Sequence, residues 1–194
     1  MAGHFEALPG GGAAVALDEV EISILRSLAV QLMELIGPGD EPAEGEDPLA
    51  ALFAEGPSEP PSDPALRRLF PDAYGDDTDE LRQAAADFRR FTENDLRTRK
   101  REDALTVVRT LDAVASAAAG EGGGVLELTA DQSRCWLGAL NDLRLTIGTR
   151  LEVTDDDEGE RLYRLPDSDP RKPMVMAYLW LGGLQESLVG TLMP

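Results

Sequence analysis

The sequence predicts a mainly α-helical single-domain bundle with a few short β-strands. Three observations carry that prediction. Apolar residues recur at spacings of three and four in several long stretches, which is the period of an amphipathic helix. Only two short runs, Ala13–Leu17 and Val125–Leu128, read as strands, and a hairpin is expected near 150–165. The 194 residues suit one domain over 13–194, behind a polar, glycine-rich tail at 1–12 expected to be disordered.

After the run Ala13–Leu17, Asp18 stands where a helix N-cap belongs, with Glu19 and Glu21 placed to favour the helix dipole. Leu25, Leu28, Leu32 and Ile36 mark a helix over Val20–Ile36, and Gly37-Pro38-Gly39 stops it. An acidic, proline-rich loop follows at about 38–78. Residues 40–80 hold 13 acidic side chains against Arg67 and Arg68. Two apolar islands in it, Leu49–Phe53 and Leu66–Phe70, are expected to dock on the core as short helical turns.

Thr78 opens the longest helical stretch, reaching about Ala119, with Asp77 and Glu80 spaced for a capping box. Leu81, Ala84, Phe88 and Phe91 give one apolar stripe; Leu105, Val108, Leu111 and Ala115 give another. Arg97–Asp103 between them is polar all round, so the stretch is either two helices in line or one helix with an exposed middle.

Beyond Gly120–Gly124, Thr129 caps a helix over Ala130–Ile147 with the stripe Trp136, Ala139 or Leu140, Leu143 and Ile147. Gly148 suits the C′ position that ends such a helix. Arg150–Thr154 and Arg161–Leu165 flank the acidic tip Asp155–Glu160, which predicts the hairpin. Pro173 opens a last helix through Val175, Leu179, Leu184 and Leu188. An internal echo also appears. At an offset of 111, Leu25, Ala29, Leu32 and Ile36 fall on Trp136, Leu140, Leu143 and Ile147, so the two helices are expected to pack as a pseudo-symmetric pair.

Composition excludes several functions. The formal charge of −19 opposes nucleic acid, whose affinity rests on basic side chains neutralising phosphates. Direct DNA binding is therefore disfavoured. One cysteine, Cys135, cannot form an internal disulfide, and with His4 it cannot complete a four-ligand zinc site. No cofactor motif, catalytic elbow or phosphate loop is present. The start carries no signal-peptide pattern, and Met174–Met193 is interrupted by Gln185 and Glu186, so no membrane span and a cytoplasmic location are expected.

Two groups of residues are candidates for function. Cys135 lies in the first turns of a helix beside Arg134, and both features lower a thiol pKa; it reads as either a half-buried small hydrophobe or a redox thiol. Gly138, Asn141 and Asp142 are poor helix formers in mid-helix. Asp142 is expected to face Arg144 or Arg150 in a partly buried network, while Arg134, Asn141, Asp142, Arg144 and Arg150 are the candidate interaction face. The basic stretch Arg89–Arg101 is expected to pair with the acidic loop at 40–80.

The pattern Ala-Leu-Asn-Asp-Leu-Arg-Leu-x-x-Gly-Thr-Arg-Leu at 139–151, after the Leu-Thr-x-x-Gln cap at Leu128–Gln132, resembles an actinobacterial domain-of-unknown-function family. That family includes the oxidative-stress transcriptional regulator AosR. The likeness extends to Glu21–Leu28, Leu66–Asp72, Phe88–Arg99 and the closing helix. It implies a non-enzymatic regulator acting through a protein partner, such as an RNA polymerase sigma factor, in the control of cysteine and thiol metabolism. It also implies a pair of nearby cysteines for redox sensing, and this chain departs there by having Cys135 alone. Two other classes stay open: a small acidic-site enzyme, with or without a metal, and an acidic mimic of nucleic acid. The oligomeric state is not legible.

Overall fold

The computed structural model describes residues 3–37, 56–75, 77–118, 122–153, 162 and 164–193. Three strands and five helices follow in order: β1 Glu6–Leu8, β2 Gly12–Asp18, α1 Glu19–Ile36, α2 Pro64–Leu69, α3 Asp79–Ala117, β3 Gly123–Leu128, α4 Ala130–Arg150 and α5 Lys172–Leu192. The mainly helical class with few strands is the one the periodicity predicts. The island Leu49–Phe53 and the acidic tip Asp155–Glu160 lie outside the described residues.

The sheet is antiparallel in the order β1-β2-β3. Ala13, Val15 and Leu17 of β2 and Leu126 and Leu128 of β3 turn to the core, whereas Val125 and Glu127 face outward. This is the alternation of a half-buried antiparallel sheet. β1 corrects the expectation of a disordered tail. Phe5, just before it, is 5% exposed, sets its ring edge against Trp136 at 5.9 Å, and donates its N–H to Ser187 Oγ at 3.1 Å. One buried aromatic fixes this end, and a lone Phe leaves no periodic signal in a sequence.

Two of the three predicted caps, Asp18 and Thr129, form, each as a full capping box. Asp18 accepts from Glu21 N–H while Glu21 accepts from Asp18 N–H, and Thr129 and Gln132 repeat the exchange. The internal echo is realised in three dimensions. β2 and β3 pair with Val15 opposite Leu126, two residues that are themselves 111 positions apart, so a local two-fold passes through that pair. The buried residues of α1 are Ile22, Leu25, Ala29, Leu32 and Ile36. Their equivalents Ser133, Trp136, Leu140, Leu143 and Ile147 are all buried on α4. The two helices contact each other as the pair the repeat requires.

Several local expectations are overturned. Thr78, and not Asp77, caps α3, its hydroxyl accepting from Leu81 N–H at 3.2 Å. α3 is one continuous helix of 39 residues, about 58 Å long at the standard rise. Its first predicted stripe does not face the core: Leu81, Phe88 and Phe91 are exposed, and Ala85, Arg89 and Glu93 are buried instead. In its second half Val108 and Leu111 are buried as expected, joined by Ala104 and Val107, while Ala115 is exposed.

Gly148 does not end α4 but lies buried inside it. A Cβ there would stand 3.2 Å from Tyr178 Cε2, so glycine permits close approach of α5. Arg150 closes α4 and Leu151 caps it, so the expected hairpin does not begin at Arg150. α5 places Pro173 in its first turn and buries Val175, Leu181, Leu184 and Leu188; Leu179 is only partly buried.

Candidate functional site

The polar middle of α3 is the chemically dense part of the molecule. The C-terminus of α1 has no basic residue in its last turn to meet its free carbonyls. Two arginines of α3 supply donors from outside. Arg97 donates to the Ile36 carbonyl, and Arg101 donates to the Met33 and Gly37 carbonyls at 3.1 and 2.6 Å. A stretch that is polar on every face thus acquires a packed side, because its cations point into a helix end.

Further along the same face, Arg89 is 4% exposed. It donates to Glu93, to the Phe70 carbonyl and to Asp72, the last two at 2.9 Å. Arg97 also pairs with Glu93 and lies over the Phe70 ring at 4.4 Å. The expected pairing of the basic stretch with the acidic loop is realised in Arg89–Asp72. Its other described contacts include Glu93 and Asp87 on α3 itself, backbone carbonyls, the Phe70 and Phe91 rings, and Asp142 of α4.

On α4, Asp142 is 2% exposed and accepts from Lys100 Nζ at 2.6 Å. Neither Arg144 nor Arg150 reaches it, so the expected partner is corrected. Adjacent side chains along a helix diverge, and the cation comes from the helix across. Burial raises the Asp142 carboxyl above its usual range, and Lys100 opposes that only in part. Arg144 instead reaches Gln185 at 2.6 Å and lies over the Tyr178 ring. Arg150 pairs with Asp63 at 2.6 Å, the same carboxylate that caps α2. Arg134 is exposed and pairs with Asp131, and Asn141 is exposed. The five residues do not make one surface: Arg134 and Asn141 face outward, Asp142 faces α3, Arg144 faces α5 and Arg150 faces α2.

Of the two readings of Cys135, the activated thiol does not find the environment it needs. Its thiol is partly buried, and burial raises its pKa first, with Asp103 hydrogen-bonding to it and adding negative charge. Arg134 points away to Asp131 and does not offset this. Gly138 sits against Asp103: an added Cβ would stand 2.6 Å from Oδ2, so glycine makes room for a carboxylate rather than for a backbone.

The chain matches, over residues 2–192, the family described as a domain of unknown function, DUF2017. It belongs to that family. A protein of Mycobacterium tuberculosis named oxidative stress regulator AosR is 32% identical over 176 residues, covering 89% of this chain and 78% of that protein. The Mycobacterium bovis protein of that name matches to the same extent. A Mycobacterium leprae protein that also carries the AosR name is 35% identical over 187 residues, covering 89% of this chain and 79% of its own. No solved structure matches.

This DUF2017 member also holds a groove of about 450 Å³ between α1, α4 and α5, floored by Leu32, Leu143 and Ile147, with Leu35, Met174 and Arg150 among its walls. Among the described residues, no three His, Cys, Asp or Glu side chains gather to hold a metal ion. No described helix is long and apolar enough to cross a membrane. Sequence reasoning missed Lys100 and Asp103 as the partners of Asp142 and Cys135. Their position in a stretch without an apolar face was the available signal, since such a stretch inside a long helix needs polar partners.

Proposed function

We propose that this chain is a cytoplasmic, non-enzymatic regulator of the oxidative-stress response that works by binding another protein. The observation that carries the reading is the match to AosR-named relatives across 89% of the chain. The geometry supports it. The buried ionisable groups Arg89, Glu93 and Asp142 are engaged in ion pairs between or along helices, Asp142 with the partly buried Lys100, an arrangement that braces a scaffold. The groove beside α4 is apolar, as binding surfaces are.

The partner is an RNA polymerase sigma factor and the process cysteine or thiol metabolism, with Arg134 and Asn141 on the outward face of α4 as contacts. Asp142 drops out of that face because Lys100 holds it inside. With one cysteine, any redox response at Cys135 is intermolecular, through a mixed disulfide or a thiol cap.

The test is a pull-down of each sigma factor of the host with the tagged chain, with and without oxidant. One sigma factor is expected to be retained by the native chain and lost with Arg134→Glu plus Asn141→Ala. Retention of none, together with unchanged thiol-metabolism transcripts in a strain lacking the chain, overturns the reading.

A further inference from the structure

β3 is a sheet edge whose outward bonding groups are bare. Glu19 N–H donates to the Gly122 carbonyl at 3.1 Å, and bonds in an antiparallel ladder recur at every second opposed pair. In the β2–β3 register that gives the shared bonds to Gly124, Leu126 and Leu128, opposite Leu17, Val15 and Ala13. Gly123, Val125 and Glu127 therefore turn their N–H and C=O groups away from β2, and no described residue meets them. The other edge is managed differently. β1 has three residues, runs into Pro9 and lies against α5. Short length, proline and cover are the devices that keep an edge from pairing. β3 has six residues in an unbroken register, with no proline and no lysine.

Beside the bare edge there is room for a strand. A cavity of about 440 Å³, open to solvent, lies between it and α3, with Thr110, Ala113, Val114 and Ala117 on the helix side and Gln132 among its walls.

We propose that this groove binds an extended peptide of a partner protein, which pairs antiparallel with β3 as a fourth strand, with apolar side chains at alternate positions and a basic one opposite Glu127. In such strand addition main-chain bonds give affinity, and pockets for alternate side chains give specificity. Neighbouring strands lie about 4.8 Å apart, so a strand bonded to Val125 and Glu127 runs along the cavity. Its residues opposite Gly124 and Leu126 fall on the inner face, toward Ala113, Val114 and Ala117, and Gly124 has no side chain of its own to fill that space. Its residue opposite Glu127 falls on the solvent face. Glu127 is exposed and has no ion pair among the described residues, in a chain of net charge −19, so lysine or arginine is the complement there. A second copy offering its own β3 fits worse. Its inward Leu126 and Leu128 are already spent in its own core and its Gly124 offers nothing, so the cavity stays empty. The inference does not depend on the regulatory reading, whose contacts lie on α4.

The probe is a fluorescein-labelled synthetic peptide, Gly-Lys-Val-Thr-Val-Lys-Gly, titrated with the full chain by anisotropy, with amide hydrogen exchange of the complex read by NMR. Without peptide, the Val125 and Glu127 amides are expected to exchange faster than Leu126, whose N–H is bonded to β2. Peptide is expected to slow those two and leave Leu126 unchanged. N-methylation of the peptide's threonine, which deletes an N–H aimed at Val125, is expected to weaken binding about tenfold. Glu127→Lys is expected to lose this peptide and to bind one whose first lysine is replaced by glutamate. Ala113→Phe with Ala117→Phe, at two exposed positions, is expected to fill the cavity and abolish binding with an unchanged circular dichroism spectrum. No binding by the native chain, or binding that N-methylation and Glu127→Lys leave unchanged, overturns the proposal. So does protection of the Val125 and Glu127 amides without peptide in a chain that sediments as a dimer, which assigns the edge to a second copy.

Discussion

The Lys100–Asp142 pair offers the sharpest test of how α3 is held to α4. Its Nζ and Oδ1 lie 2.6 Å apart, with side-chain exposures of 16% and 3%. Removing one partner of a buried pair costs about 3–5 kcal/mol, because the other charge is stranded. The asymmetry of exposure splits the two halves of that experiment. Lys100→Met strands a carboxylate with nowhere to go, so the full cost of about 4 kcal/mol applies. Asp142→Asn strands an ammonium on a flexible stem that reaches water, so its cost is about 1–2 kcal/mol. Replacing both, as Lys100→Met with Asp142→Leu, falls near the native value because no charge is left buried.

The pH dependence follows from the direction of the Asp142 shift. Burial raises its folded pKa above 3.8, so it binds a proton more tightly in the folded chain. Such a group favours the fold below its unfolded pKa, and that contribution is lost as pH rises through the folded value. Lys100→Met raises the folded pKa further. Its deficit is therefore smaller at pH 5 than at pH 7. Urea denaturation of the three variants at both pH values measures all of this, against a total stability of about 5–15 kcal/mol for a domain. The reasoning fails if Asp142→Asn is as damaging as Lys100→Met, or if the Lys100→Met deficit does not change with pH.

Other consequences are simpler. Cys135 is expected to react slowly with iodoacetamide at pH 7 in the folded chain, faster as pH rises, and faster in Asp103→Asn, which removes the charge that raises the thiol pKa; equal rates in the two proteins would discount Asp103. Gly138→Ala drives a methyl toward Asp103 Oδ2 and is expected to cost about 1–3 kcal/mol in a thermal melt. Trp136→Ala removes a fully buried ring and its Nε1 bond to Thr110, for a loss of about 3–5 kcal/mol by denaturant titration.

What was legible in the sequence is what local chemistry decides. Asp18 and Thr129 are caps because a side-chain oxygen three residues before a Glu or Gln can close a capping box at a helix start, whereas Asp77, spaced alike before Glu80, yields the cap to Thr78 one residue on. The strand-then-helix echo was visible because its signal repeats at one offset, and the β2–β3 register then places the repeat on a two-fold. Asp142 was assigned its nearest cations in sequence, Arg144 and Arg150, but the partner is Lys100, 42 positions away on another helix. Gly148 reads as a helix end by composition and serves as a packing notch, a role that depends on where Tyr178 arrives. The interaction residues proposed on α4 shared a sequence window without sharing a face.

The inverted half of α3 shows why binary patterning fails in one place and not in others. Pattern reading assumes that the side with the most apolar residues goes inward. On α1 and α4 that holds, because the surface they meet is the apolar face of a sheet and of other helices. The first half of α3 meets Phe70–Asp72, an irregular segment whose carbonyl and carboxylate need donors once water is excluded. Arg89 can satisfy both and Glu93 can balance it, and Phe88 and Phe91 can do neither. Turning the rings inward would leave the Phe70 carbonyl unpaired at a cost of about 1–3 kcal/mol, comparable with the gain from burying one ring. It would also strand Arg89 and Glu93 on a surface where their pairing is weak. The side chains that satisfy α3's own neighbours are polar, so its apolar stripe is left facing outward.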